Sequence, residues 1–116
     1  HFVLEAKKQF VEILVFPEDT TTGWPIGYNN GRDGALPWLE EIPPLNSFPY
    51  QMTEIQWTSP AVFLTSQFAY QNNITIVIDI GEVVWCNSTQ SEAKCPSDGR
   101  WQFNTQIAFD PSGKLI

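Results

Sequence analysis

The chain has 116 residues, of which 42% are hydrophobic and 14% aromatic, enough for one small core or for part of a larger domain. Thirteen acidic residues against six basic ones give a net charge of −7, which argues against nucleic-acid binding because phosphate contacts need clustered Lys and Arg. The sequence contains no apolar run of about 18 residues, the length needed to span a membrane. The first residues also lack the basic and apolar regions of a signal peptide.

The first predicted elements are a helix and a strand. Val3, Ala6 and Phe10 recur at helical spacing over residues 3–11, with charged residues between them. The strand Glu12–Phe16 follows at once and contains four apolar residues in succession. An α/β arrangement is therefore expected from the amino terminus onward.

The strand ends in Pro17-Glu18-Asp19, and Pro17 cannot donate a hydrogen bond to a central ladder. The two carboxylates therefore lie at the C-terminal edge of a strand, where open α/β sheets bind ligands. Glu18 in this position is a candidate general base, and the alternative is a solvated or capping carboxylate. For Asp19 the sequence favours a turn or cap.

A long segment rich in Pro and Gly follows, from Asp19 to Thr58. It contains six aromatic residues: Trp24, Tyr28, Trp38, Phe48, Tyr50 and Trp57. Disordered segments are poor in aromatic residues, so this one is expected to pack and to form a pocket wall. Trp24 is a candidate for lining the substrate pocket, with loop packing as the equal alternative.

Within this segment, Pro37 suits the first turn of a short helix over Leu36–Glu41. Such a helix would place Glu40 and Glu41 on a solvated face. The next helix is better marked, because Ser59 and Pro60 form a cap followed by an N1 proline.

The helix that begins at Pro60 is expected to run to Gln71, with one face formed by Ala61, Leu64 and Phe68. Asn72 and Asn73 can end it, because Asn tolerates the left-handed conformation. The β-branched run Ile74–Ile80 then gives the strongest predicted strand. Inside that strand, Asp79 needs a partner or a path to solvent, which favours a structural role.

The remaining strands complete the alternation of helices and strands. Val83–Trp85 extends or follows the isoleucine-rich strand, and Trp101–Phe109 is the next strand. A turn over residues 110–113 leads into a further strand over Lys114–Ile116. Both ends of the chain look cut, so residues 1–116 are expected to be a fragment of a larger domain.

Cys86 and Cys95 are the only cysteines, nine positions apart around a polar segment. A disulfide is stereochemically easy at this separation, and a zinc site is disfavoured because only His1 could add a further ligand. The sequons at Asn73 and Asn87 are candidate N-glycosylation sites, and the polar loop favours Asn87. Together these features favour a secreted chain.

Several stretches resemble the vanin and biotinidase branch of the nitrilase, or carbon–nitrogen hydrolase, superfamily. Their order and spacing match along nearly the whole chain except residues 47–58. The matching stretches are Ile13–Asp19, Gly23-Trp24, Leu39–Pro43, Asn72–Ile74, Asp79–Gly81, Cys95–Thr105 and Phe109–Ile116.

The resemblance implies part of an α-β-β-α sandwich and a Glu-Lys-Cys triad in which Glu18 is the general base. The family's lysine and nucleophilic cysteine follow beyond Ile116, and its first strand precedes His1, so the chain alone is expected to be inactive. Cys86 and Cys95 match the family's disulfide pair. One departure is Phe10, which stands where relatives have Gly, so the first helix is expected to end without a left-handed residue.

Three hypotheses about function follow. The first is a secreted amidase acting on linear amides such as those of pantetheine or biotin, with no cofactor or metal. Its partners would be the rest of its polypeptide or a cleaved companion chain, a small amide substrate and N-linked glycan, and a membrane anchor outside this segment is an open alternative. The second is a catalytically inactive secreted relative with a structural or binding role. The third is a module whose aromatic loop binds a ligand.

Overall fold

The structure, a computed structural model, describes residues 1–18, 20–21, 31–87 and 94–116. The α-helices are α1 (Phe2–Lys8), α2 (Gly31–Ala35) and α3 (Pro60–Asn72), and the strands are β1 (Ile13–Val15), β2 (Thr75–Trp85) and β3 (Arg100–Phe109). The sheet order is β1-β2-β3, with β1 parallel and β3 antiparallel to β2. Short 3-10 helices lie at Leu36–Trp38, Pro49–Gln51 and Thr53–Ile55. Within these ranges no helix is long and apolar enough to cross a membrane.

The core lies between one face of the sheet and the helices α1 and α3. Alternate residues of β2 and β3 point into it, as expected for strands with one face buried against helices. The buried core residues are Ala6, Val62, Ala69, Ile74, Ile76, Ile78, Ile80, Ile107, Phe109 and Leu115. The strand predicted from the β-branched run Ile74–Ile80 is confirmed, since Thr75–Ile80 forms the first part of β2.

The predicted inner face of α3 is wrong. Leu64 and Phe68 are 44% and 43% exposed, and the helix instead buries Val62, Ser66 and Ala69. Apolar residues lie on every side of the helix, so hydrophobic periodicity does not select a face. Contact with the sheet makes that choice.

The two helices that lead directly into strands, α1 and α3, are both followed by a residue in the left-handed conformation. Asn73 adopts φ 51° after α3, as predicted, and Phe10 adopts φ 59° after α1. Behind Phe10, the amides of Phe10 and Val11 donate to the carbonyls of Lys7 and Ala6, which is the Schellman pattern. The expectation that α1 would end without a left-handed residue is therefore wrong. The two closing hydrogen bonds offset the strain of a Cβ atom at positive φ.

Other boundaries differ from the predicted ones. Strand β2 runs continuously through Gly81 to Trp85. The predicted strand at Lys114–Ile116 is wrong, since Leu115 forms only an isolated bridge with Phe109. The Leu115 amide donates to the Ser47 carbonyl and the Ile116 amide donates to the Ala108 carbonyl of β3, each at 3.0 Å, so this segment lies between a loop and the end of β3.

Glu40 joins three parts of the fold and is buried, with only 8% of its surface exposed. Its backbone pairs with the far half of β2, where its amide donates to the Gly81 carbonyl at 2.9 Å and its carbonyl accepts from the Val83 amide at 3.0 Å. Its carboxylate accepts hydrogen bonds from the amides of Ala61 at 2.8 Å and Val62 at 2.9 Å. Glu40 thus caps α3 from a distant position in the chain.

This arrangement corrects two predictions. Glu40 does not lie on a solvated helix face, because the helical turn stops at Trp38 and the next residues run extended beside β2. Helix α3 begins at Pro60 as predicted, but the Ser59 hydroxyl donates to the Glu41 carbonyl instead of capping the helix. Glu41 remains exposed, as predicted, and accepts a hydrogen bond from the Trp85 indole.

Gly113 sits where no side chain fits. It adopts φ +78°, and a Cβ atom there would lie 2.7 Å from the Ser66 carbonyl oxygen and 2.8 Å from the Tyr50 ring. The buried Ser66 hydroxyl donates to the Gly113 carbonyl and accepts from the Tyr50 amide. The close approach of the chain to α3 therefore depends on glycine.

We expect Gly113→Ala to lower the free energy of unfolding of the native protein by about 2–4 kcal/mol, from strain at positive φ together with displaced backbone. Gly31→Ala is the matched control, since Gly31 also has positive φ but no atom within 4 Å of the added Cβ. It should cost only about 1–2 kcal/mol. Equal losses in chemical denaturation would contradict the steric argument.

We expect Glu40→Ala to cost about 1–3 kcal/mol, because it leaves two buried amides of α3 without their acceptor. Glu41→Ala removes one exposed hydrogen bond and should cost less than about 1 kcal/mol. Denaturant unfolding of both variants measures the difference. A larger loss for Glu41→Ala would refute the cap.

The difference in unfolding free energy between the native protein and Glu40→Ala should change with pH in a defined direction. Burial raises the pKa of the Glu40 carboxyl above its ordinary value of 4.5, against the smaller opposite effect of the Val62 and Ala61 amides. Stability from this group is then fully present below pH 4.5 and is lost as the pH rises through the folded-state pKa. The stability difference between the native protein and Glu40→Ala should therefore shrink as the pH rises.

Candidate active site

The segment after β1 carries Glu18 to the C-terminal edge of the sheet, as predicted. The Phe16 amide still donates to the Val77 carbonyl at 2.9 Å, so pairing with β2 continues up to Pro17. Beyond it, the Thr20 hydroxyl donates to the Pro17 carbonyl and closes a turn around Glu18. The Thr21 hydroxyl donates to the Asp79 carbonyl at 3.1 Å and ties the same segment back to β2. The Glu18 carboxylate is exposed.

Asn104 is the hydrogen-bond partner of this carboxylate. Its side-chain amide donates to Glu18 Oε1. In the sheet, Asn104 pairs with Gly81 of β2, and β1 lies on the opposite side of β2. The contact therefore reaches across the whole described sheet and fixes one oxygen of Glu18 on the face opposite the helices.

Glu18 has no ion-pair partner among the described residues. Both cysteines are joined to each other, so the chain offers no free thiol. Lys114 contacts Asp110 at 3.7 Å. The described residues thus hold the Glu18 carboxylate in place but put neither a nucleophile nor a cation beside it.

Two further carboxylates lie near this edge of the sheet. Asp79 is buried, and Glu82 accepts a hydrogen bond from the Thr105 hydroxyl at 2.6 Å. Glu82 lies on the same face of β2 as the core isoleucines, so the strand alternation separates it from Asn104. In the part of the chain that the structure describes, no group of three His, Cys, Asp or Glu residues could hold a metal ion.

Part of the aromatic segment forms a pocket wall, as predicted, but Trp38 and Trp57 are 53% and 84% exposed, so the prediction that these side chains are packed is wrong. A pocket of about 380 Å³ lies between Trp38 and Trp57, with Glu40 and Leu64 also lining it. Further along, the Tyr50 ring stacks on Tyr70 of α3 with centroids 4.7 Å apart. Trp24 and Asp19, the other two candidates from this region, lie outside the described residues.

The disulfide between Cys86 and Cys95 is present, as predicted, and spans the connection from β2 to β3. Next to it, Arg32 of α2 donates to Asp98 at 2.7 Å and to the Arg100 carbonyl. Buried Arg100 in turn pairs with Asp33. The hydrogen bond from Arg32 holds the pKa of the Asp98 carboxyl below its ordinary value. These contacts join α2 to the start of β3.

Both candidate glycosylation sites are exposed. Asn73 occupies the left-handed position after α3, at the amino end of β2, and Asn87 follows Cys86. Asn73 therefore lies at the edge of the sheet opposite to Glu18.

Sequence reasoning did not single out Asn104 or the capping role of Glu40. A signal was present for Asn104, because it lies within the stretch Cys95–Thr105 that matches the resembled family. For Glu40 no local signal existed, since its amide partners are 21 and 22 positions away.

The sequence is 38% identical to the pantetheinase of Bos taurus and 36% identical to that of Homo sapiens, over 98% of this chain in each case. It is 30% identical to the biotinidase of Homo sapiens, also over 98% of the chain. The chain spans 22%, 21% and 20% of the length of these three relatives. No protein-family model matches the chain.

Among solved structures, an N-terminal amidase crystallised with a Gln-Gly peptide is similar in fold. The TM-score is 0.57 and the sequence identity 16%, over 99% of this chain and 21% of the amidase. This likeness supports the incomplete α/β fold of nitrilase type. The sequence identities show that the chain is similar along nearly its whole length to pantetheinases and biotinidases, of which it spans about one-fifth.

Proposed function

We propose that this chain is part of an amidase that hydrolyses linear carbon–nitrogen bonds, in which Glu18 is the general base. The observation that carries the proposal is the turn that holds Glu18 at the C-terminal edge of β1, with Asn104 donating to its carboxylate. It occurs in a chain that is similar along almost its whole length to pantetheinases and biotinidases.

In the proposed reaction, Glu18 takes the proton of a cysteine thiol, and the thiolate attacks the amide carbon. A lysine ammonium stabilises the oxyanion that forms. Glu18 then returns the proton to the leaving amine, which leaves an acyl group on sulfur. Water attacks this thioester while giving a proton to Glu18, the carbon–sulfur bond breaks, and the acid is released. Glu18 returns the proton to the cysteine sulfur, which restores the free thiol.

The lysine and the cysteine belong to other parts of the protein in this proposal. Residues 1–116 are a partial carbon–nitrogen hydrolase domain, completed by the rest of the polypeptide or by a cleaved companion chain. The two cysteines of this segment are unsuited to attack because they form a disulfide.

The substrate class is a small linear amide. The names of the relatives support amides of pantetheine or of biotin. The pocket between Trp38 and Trp57 offers an apolar wall on the segment that follows Glu18, and Trp24 is a further candidate for such a wall. A disulfide in a chain with two sequons supports a secreted protein with glycan at Asn73 and Asn87.

We expect Glu18→Gln to reduce kcat/KM for a pantetheine amide or a biotin amide by about 10²–10⁴, because the amide side chain cannot accept the thiol proton. The assay uses the native protein, with circular dichroism to verify folding. Glu54→Gln, an exposed carboxylate on a 3-10 helix, is the matched control and should keep full activity.

Two outcomes would contradict this assignment. Equal activity of Glu18→Gln and the native protein would remove Glu18 from the reaction. A native protein that hydrolyses neither amide would instead support the catalytically inactive relative.

We expect Asn104→Asp to move the acidic limb of the pH profile of kcat/KM to higher pH. The added carboxylate beside Glu18 repels the ionised base and removes its amide donor. Gln106→Glu adds the same charge two residues along the same face of β3 and is the control, with a smaller shift expected. Equal shifts in the two variants would show that the Asn104 contact is not specific.

A further inference from the structure

The amino ends of β1 and β2 form a second distinctive edge, opposite to Glu18. Each strand is entered through a residue in the left-handed conformation, Phe10 before β1 and Asn73 before β2. The register brings these entries side by side, since Ile13 pairs with Thr75 and the Thr75 amide donates to the Glu12 carbonyl.

Phe10 is an unusual residue for its position. It adopts φ 59°, where glycine is strongly preferred, and 91% of its surface is exposed. The described chain therefore gains little packing from the ring in exchange for the backbone strain. A strained, exposed residue of this kind indicates a contact that residues 1–116 do not themselves supply.

Phe10 and Asn73 line the same groove, whose volume is about 630 Å³. Thr75, the third residue of the sequon Asn73-Ile74-Thr75, lines it too. Its rim adds charged groups of both signs, Lys7 and Glu12. The groove is thus lined by an asparagine that can accept a glycan, Asn73, by the exposed ring of Phe10 and by polar side chains.

We infer that Asn73 carries an N-linked glycan whose first sugar packs against the exposed ring of Phe10 in this groove. The inference rests on the secreted location within the proposed function, but not on its catalytic chemistry. The apolar face of a pyranose ring would cover part of the Phe10 ring, and its hydroxyl groups would remain beside Lys7, Glu12 and solvent. The glycan would lie at the end of the sheet away from Glu18 and leave that edge open.

The first test is occupancy. The native protein, produced in a eukaryotic secretory host, should yield a glycopeptide that contains Asn73, detected by mass spectrometry. Thr75→Val keeps a β-branched strand residue and the left-handed Asn73 but destroys the sequon, so this glycopeptide should lose its glycan. A glycan at Asn87 in both proteins is the internal control for the host. An unmodified Asn73 in a protein glycosylated at Asn87 would overturn the inference.

The second test addresses the ring contact. Under native conditions, an amidase that cleaves the bond between Asn and glycan should release the Asn73 glycan several-fold faster from Phe10→Ala than from the native protein. Release at Asn87 should be unchanged, which separates a local contact from a general loss of structure. Equal release rates at Asn73 would overturn the packing against Phe10.

A thermodynamic cycle gives a third readout. In the Thr75→Val background, Phe10→Gly should raise Tm because it relieves strain without losing a sugar contact. In the glycosylated protein the same substitution should raise Tm less, or lower it. Identical Tm changes in the two backgrounds would contradict the contact. Loss of amidase activity in any of these proteins tests the proposed function and leaves this result unaffected.

Discussion

The buried carboxylate of Glu40 is the constraint on which most of the described fold depends. A buried carboxylate is costly unless it is hydrogen-bonded, and the first amides of α3 are costly unless they find acceptors. Both requirements are met by the two hydrogen bonds that the Glu40 carboxylate accepts from the amides of Ala61 and Val62, at 2.8 and 2.9 Å. The Glu40 backbone continues the edge of β2 beyond the point where β1 ends, so one residue sets the position of α3 relative to the sheet.

The same constraint organises the surroundings of Glu18. Because Leu39 and Glu40 lie along β2, the preceding Trp38 is held beside the start of α3, where it forms one wall of the pocket. Gly81 permits this approach, since a Cβ atom there would lie 2.6 Å from the Leu39 side chain. The candidate base and the pocket wall are thus carried by segments that bind successive stretches of the same edge of β2, around Val77–Asp79 and Gly81–Val83.

The sheet has two faces with different roles. One packs against α1 and α3, while on the other Ile13 and Val15 remain 59% and 60% exposed. In an α-β-β-α sandwich this second face packs on another sheet, as its apolar character at β1 requires. Glu18 and Asn104 meet on this same face of the sheet, beyond the carboxyl end of β1. The proposed glycan occupies the opposite edge of the strands.

The sequence by itself determined the order of the elements, the C-terminal position of Glu18, the left-handed Asn73 and the disulfide. Each of these depends on local chemistry: β-branched runs, a proline after a strand, asparagine at a helix end, and two cysteines around a short loop. The matching stretches also predicted the similarity to vanins and biotinidases. Only the tertiary structure decided the inner face of α3, the role of Glu40 and the contact between Asn104 and Glu18. Helix α3 carries apolar residues on every side, so its periodicity does not select the buried face. The other two contacts join residues 21 or more positions apart, so they depend on strand register and on the cost of burying polar groups.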